Sequence, residues 1–378
     1  MRRRRFVSGL LGAGAAVALA HASAGPSTAL PPPRIGPRLP GPRDWRAVTA
    51  PECAPAAQLL AVAAAGPDLA WAVGEEGRAG STRGTPVALT WDGTAWSRAG
   101  LGGPGWNGAL RSVAAAGGGS AWAVGADTAG TGRLLRWDGT AWQDTPFPGR
   151  GTPGTTLTGV TTGPAGQVWV SGRNAEGQVL LHGTEDDWRW TDRPPVEGAV
   201  PVPSGVCRAP GGDVWVYGAE LVARWDGDAW TVLPPPGGIR ATVSGLLPVA
   251  DDDLWLTGHA YGVGGPPGKP PSATLMYGDG TAWRSVPAPF SVGMLTGIVG
   301  DAEGRPDRIA GWDFWDQTRA HYLRWSDGAW VSERGPVATT PVVPLALAAV
   351  PGSGGHGYWS VGTTSGSPHP SAGVRIER

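Results

Sequence analysis

Lysine is all but missing from this 378-residue chain: Lys269 is the only one, so basic charge is carried almost wholly by Arg. Charged residues make up 16% of the sequence and balance formally to −1, which argues against a nucleic-acid or anionic-membrane partner. Only two cysteines are present, Cys53 and Cys207, and they form no Cys-x-x-Cys pair, which is poor ground for zinc or redox catalysis. No Gly-x-Ser-x-Gly, His-Glu-x-x-His or Walker pattern stands out. His182, His356 and His369 are scattered without metal-ligand spacing, so neither a metal nor a cofactor is expected. Long apolar runs are also scarce. The one near the start is too short and too Gly/Ala-rich to favour a membrane span.

That run belongs to "MRRRRFVSGLLGAGAAVALAHASA", a basic stretch (Arg2 to Arg5), an apolar stretch and a small-residue end, the order of an export signal over residues 1–24. Arg3-Arg4-Arg5-Phe6 fits the twin-arginine pattern, and an ordinary secretory signal with extra Arg fits as well. Removing it takes away four Arg and no acid, moving the formal charge from −1 to −5. The expected destination is outside the cell or in its envelope. An oxidising compartment permits a Cys53–Cys207 disulfide, worth on the order of 4–5 kcal/mol by loop closure, and two buried thiols are equally compatible with the sequence. Residues 25–42, "GPSTALPPPRIGPRLPGP", read as an extended Pro-rich linker, which leaves residues 43–378 as one domain.

Two phrases recur in that domain. "AWAVG" at 70–74 and 121–125 returns as "VWVSG", "VWVYG", "LWLTG", "RIAG" (308–311) and "YWSVG" (358–362). Trp71 to Trp359 is 288 residues in six steps, a period of the size of a propeller blade. Between these lie "TWDGTAW" (90–96), "RWDGTAW" (136–142), "RWDGDAW" (224–230), "YGDGTAW" (277–283) and "RWSDGAW" (324–330). The Asp-Gly pair suits a tight hairpin whose Trp residues pack across strands. Four short β-rich runs per repeat make a meander. After the last "YWSVG" only "AGVRIER" (372–378) remains, whereas "RDWRAVTAP" (43–51) supplies an unmatched Trp45 before the first repeat. The sequence therefore predicts an all-β, seven-bladed β-propeller whose last blade is closed by the N-terminal strand.

Over residues 43–378 the arrangement resembles secreted bacterial, Trp-rich repeat propellers of the broad Kelch-like and Asp-box-like kind. The Asp-box spacing of Ser-x-Asp-x-Gly-x-x-Trp is not kept, and most blades lack the Kelch Gly-Gly pair, so the resemblance implies fold and no activity.

Of 21 Trp, 17 fall in the repeat phrases, leaving Trp106, Trp190, Trp312 and Trp315. Trp106, Trp312 and Trp315 lie in connections that share one face in a propeller, where loops carry function. Two neighbouring connections are long: "GHAYGVGGPPGKPPSA" (258–273) and "GWDFWDQTRAH" (311–321). They offer Tyr261, Trp312, Trp315 and Arg319, with Trp106, for ligand binding, and His259, His321, Asp313 and Asp316 for proton transfer. The competing reading is that Trp312, Phe314 and Trp315 only pin the loop down. Asp251-Asp252-Asp253 reads as a solvated turn rather than calcium ligands. The leading expectation is a monomeric recognition scaffold for an extracellular glycan, peptide or protein. A secreted lyase, hydrolase or cyclase acting on a small molecule is the alternative, and an envelope-tethered structural protein a third.

Overall fold

The computed structural model describes residues 44–378 except 104, 186, 237–240, 262–269, 354–356 and 365–372. The chain divides into two units, residues 1–37 and 38–378, and the first lies wholly outside the described residues, as does the Pro-rich linker. Helix among the described residues is confined to two 3-10 turns, Gly117–Gly119 and Pro164–Gly166.

Seven antiparallel meanders form the blades, each running from an inner to an outer strand. Blade 1 comprises Gln58–Gly66, Leu69–Glu76, Thr85–Trp91 and Trp96–Arg98. Blades 2 to 6 repeat this over 108–144, 156–190, 205–233, 241–285 and 293–334. The inner strands of successive blades touch round the whole circle, so the ring is closed. Blade 2 gains an extra outer strand, Gly100–Leu101, which pairs parallel with Ala141–Asp144.

The recurring phrase is the outer hairpin. Trp91 lies opposite Trp96, Trp137 opposite Trp142, Trp225 opposite Trp230 and Trp325 opposite Trp330, with ring centroids 5.9, 5.6, 5.3 and 5.1 Å apart. Gly93, at φ 95°, takes the first central position of the turn, where an L side chain would be strained. The preceding Asp92 accepts the N–H groups of Ala95 and Thr94 and the Thr94 hydroxyl, and these bonds hold its carboxyl down at about 2.

The second-strand Trp of one blade meets the hairpin of the next. Trp122 stands edge-on to Trp188 at 5.2 Å, Trp255 to Trp325 at 5.0 Å and to Trp330 at 5.8 Å, and Trp359 to Trp91 at 4.9 Å and Trp96 at 5.0 Å. Such pairs add about 0.5–1.5 kcal/mol each beyond the area they bury.

Blade 7 consists of Val342–Ala349, Tyr358–Thr364 and Val374–Glu377, completed by Ala47–Val48 from the other end of the sequence. Ala47 pairs with Glu377 and Val48 with Ile376, and Arg46 and Arg378 exchange backbone hydrogen bonds of 3.0 and 2.9 Å. Trp45 is 5% exposed and stacks on Tyr322 at 3.7 Å, beside Tyr358.

The Trp chain breaks once. Arg308 occupies the second-strand slot of blade 6 and is 1% exposed. Its charge is balanced by Asp307 at 2.5 Å and Glu333 at 3.4 Å, and the guanidinium lies 5.1 Å from the Tyr358 ring centre. The Tyr358 hydroxyl donates to Asp307 in turn, while burial pushes that carboxyl above its ordinary range. The joint between blades 6 and 7 thus has a buried ionic cluster beside the Trp45 stack, where joints 1/2, 2/3, 5/6 and 7/1 set indole against indole.

Cys53 and Cys207 are free thiols, so the disulfide that the sequence allowed is not formed. Cys53 precedes blade 1 and packs at the joint of blades 7 and 1, whereas Cys207 lies on the inner strand of blade 4 against the joint with blade 5. Their separate blades hold them apart.

Truncating Trp45 to Ala should cost about 3–5 kcal/mol, the range for a buried aromatic, and deleting residues 43–50 should cost more. Thermal unfolding checks both, and a deletion variant that melts at the wild-type temperature contradicts the closure. Arg308→Ala leaves Asp307 and Glu333 buried and short of a cation, and should destabilise by about 3–5 kcal/mol in denaturant titration.

Candidate functional site

The connections between second and third strands, and those from blade to blade, leave from one face of the ring, called upper here. The tight Asp-Gly hairpins and the turns between first and second strands leave from the lower face. The two long loops foreseen from the sequence are therefore upper-face neighbours on blades 5 and 6, although residues 262–269 of the first lie outside the described residues.

The blade 6 loop begins where the strand Pro306–Asp313 ends and finishes at the strand His321–Ser326. Asp313 is buried and accepts the Trp315 N–H at 3.0 Å, while its own carbonyl accepts the Asp316 N–H at 3.2 Å, which makes a tight turn. Phe314 N–H donates to Val292 O at 3.1 Å, and Gln317 O and Thr318 O accept from Val342 and Ala338, tying the loop to the connections on either side. Half-buried Trp312 stands edge-on to Phe314 at 5.9 Å, and Phe314 edge-on to Trp315 at 5.0 Å. Trp312 and Phe314 pin the loop. Trp315 sits at the end of the relay and is 78% exposed. Arg319 is half-buried and makes no ion pair or hydrogen bond among the described residues.

The histidines divide differently from the expectation. His321 is buried and stacked on Phe290 at 4.3 Å, with Nε2 2.9 Å from Ser332 Oγ and Nδ1 3.4 Å from Asp313 Oδ2, too long for a strong bond. Burial above all, and then the Arg334 cation, push its pKa down to about 4. Arg334 also spans Asp313 at 3.4 Å and Asp316 at 3.5 Å. The predicted acid–base group is therefore an internal clamp behind the loop, with no open path to its imidazole. His259 ends the strand Asp253–Ala260, where burial lowers its pKa. Its ring meets Tyr261 edge-on at 5.2 Å, and among the described residues its Nδ1 has no hydrogen-bond partner. Tyr261 is 61% exposed.

Other Trp residues outside the repeat prove structural. Trp106 is half-buried against the joint of blades 1 and 2 with the Arg133 guanidinium 5.4 Å from its ring centre, and Trp190 donates to Pro148 O at 3.0 Å. Asp251 is paired with Arg224 on the lower face, so the acidic turn serves as a surface ion pair. A shallow lower-face recess at blade 3, lined by Trp169, His182, Asp187 and Arg189, has a volume of about 130 Å³. That is small beside the roughly 300–1,000 Å³ of ligand pockets. His182 there already accepts from Arg189 Nε at 3.0 Å.

No protein-family profile matches the sequence, and no curated protein is similar to it. Solved structures do resemble the fold. YCF48 bound to D1 peptide aligns with a TM-score of 0.57 at 16% identity, over 90% of this chain and 98% of that one. A catalytically inactive virginiamycin B lyase from Staphylococcus aureus, solved with quinupristin, aligns at 0.60 and 13% identity, over 88% and 98%. U3-55K aligns at 0.55 and 11% identity, over 89% and 99%. At these identities the likeness is one of fold alone.

A His whose folded pKa lies below its unfolded value of 6.5 binds less proton than the unfolded chain between the two, so stability falls as pH drops from 6.5 to about 4. His321→Gln should flatten that acid decline and leave stability above pH 7.5 on a level slope, measured by urea unfolding at stepped pH. A His321 imidazole that titrates near 6.5 by NMR would contradict the buried clamp.

Proposed function

We propose that the protein is a recognition scaffold that works outside the cell, where its upper face binds a glycan, peptide or protein through the loops of blades 5 and 6. The observation that carries this reading is the exposure of Trp315 beside a loop that its aromatic neighbours already hold in place. An indole left 78% in water, on a loop tied at both sides, is positioned to lie against a sugar ring or an apolar side chain. Tyr261 adds a second exposed ring on the neighbouring blade, and Arg319 a cation with no partner of its own among the described residues. Export through residues 1–24, by a twin-arginine or general secretory route, and a Pro-rich spacer over residues 25–42 belong to the same proposal, as does action as a monomer.

Catalysis receives less support from the same residues. His321 and Asp313 are buried, Asp316 is paired with Arg334, and among the described residues His259 has only Tyr261 as a ring neighbour. A general acid or base needs a proton partner within hydrogen-bond reach of substrate.

The test incubates purified residues 25–378 with the producer's own culture medium and follows retained and altered molecules by mass spectrometry. Retention of an unchanged molecule, weakened at least about 30-fold by Trp315→Ala as for an interface hot spot, is the expected result. A product that forms with the wild type and not with His259→Gln would replace recognition by catalysis. Retention untouched by Trp315→Ala and Tyr261→Ala together would move the site elsewhere.

A further inference from the structure

Six of the seven inner strands carry a β-bulge at the same register. The ladder skips between Leu59 and Ala61, Leu110 and Ser112, Leu157 and Gly159, Val243 and Gly245, Leu295 and Gly297, and Pro344 and Ala346. The skipped residues are Leu60, Arg111, Thr158, Ser244, Thr296 and Leu345. An inner strand pairs only on its outer side, so its free edge borders the central channel, and a bulge releases one residue towards that edge. Each of these residues falls in the first half of its strand, near the upper mouth.

Five of the six are neutral and half-buried, and the hydroxyls among them are engaged. Thr158 Oγ1 lies 2.9 Å from Ser171 Oγ, Ser244 donates to Leu295 O and Thr257 O, and Thr296 donates to Ala310 O at 3.2 Å. Arg111 is the exception. It is charged and solvent-exposed, and it makes no hydrogen bond or ion pair among the described residues. Two charged groups from blade 1 act on it, Arg83 by repulsion and Glu75 by attraction. Glu75 is fully buried and already filled: Oε1 accepts the Gly84 N–H at 2.8 Å, and Oε2 accepts from Arg83 at 3.2 Å and Gln58 at 3.4 Å. Two guanidinium groups thus act on one carboxylate, which leaves a net positive charge where the other five bulge residues are neutral. Partial desolvation, followed by the Arg83 charge, pulls the Arg111 pKa below its usual value.

We infer that Arg111, backed by Arg83, forms a subsite at the upper mouth of the channel for a carboxylate group of a ligand. The planar guanidinium fork matches a carboxylate in two parallel hydrogen bonds, and a single negative charge neutralises the surplus. The site stands on different residues from those of the recognition loops, and either holds without the other.

The test uses residues 25–378 and an arginine-selective dicarbonyl reagent, with modification read peptide by peptide by mass spectrometry. Benzoate is the probe, with inorganic phosphate and chloride at equal ionic strength as the other arms, and the ion-paired Arg224 and Arg305 as internal controls. Arg111 should react readily, and benzoate at ten times its dissociation constant should slow that reaction about ten-fold, with chloride inert. Arg83→Gln should weaken this protection. Protection by chloride alike would reduce the effect to screening, protection by phosphate alone would reject the carboxylate, and protection by none would reject the site. Arg111→Gln should leave the melting temperature unchanged or raise it, since no partner is lost. A clear fall would make Arg111 a structural residue and overturn the proposal.

Discussion

An indole edge set against the hairpin of the following blade is the contact on which the ring depends. A four-stranded sheet with one apolar face cannot bury itself. All blades but the sixth present a second-strand Trp forwards, and each presents one or two hairpin Trp backwards, as Trp122 meets Trp188 and Trp359 meets Trp91 and Trp96. Because the contacts run from blade to blade round the ring, the sum closes only when the last blade finds the first. Trp45 is the receiver of blade 7, and it comes from the far end of the sequence to fill that role. At this one joint the donor is Arg308, and the buried Asp307 and Glu333 follow from it, because a guanidinium in an indole's place must bring its counter-charges inside.

This use of Trp also explains which parts of the molecule could be read in advance. The blade number, the hairpin and the role of Trp45 were legible because they repeat: seven near copies of one phrase average out the ambiguity of any single strand. Arg308 was visible as a departure from the repeat, and Asp307 is its neighbour along the chain, but Glu333 comes from the outer strand of the same blade and the Tyr358 ring from blade 7, which no local pattern records. His321 and Asp313 looked like loop residues. They are in fact the first residue of one strand and the last of another, and their side chains turn inward, a difference of one position in alternation that reverses what a side chain meets. That Trp106 packs on the joint of blades 1 and 2 was hidden for a related reason, since a connection can fold back onto the joint it leaves. Arg111 gave no signal at all, because a bulge shifts the alternation by one and is set by pairing across the sheet.

The upper face shows how one residue type serves two ends without conflict. Trp312 and Phe314 are covered and hold the blade 6 loop, and Trp315, next along the chain, is left in solvent by the tight turn that Asp313 caps. The contacts of His321, Asp313 and Arg334 lie beneath this loop, and under the proposed recognition role a support already held in place would lower the entropic cost of association.

The seam of blade 7 has a consequence in time as well as in energy. Among the described residues only Ala47–Val48 and the Arg46–Arg378 backbone exchange pair the strand with its sheet, so the ladder there is short, and the indole of Trp45 stacks beside it. Pairing between residues so distant along the chain forms late, because loop closure must precede it. Were the circle to open by the same step reversed, the lifetime of the folded state would follow the release of the Trp45 side chain.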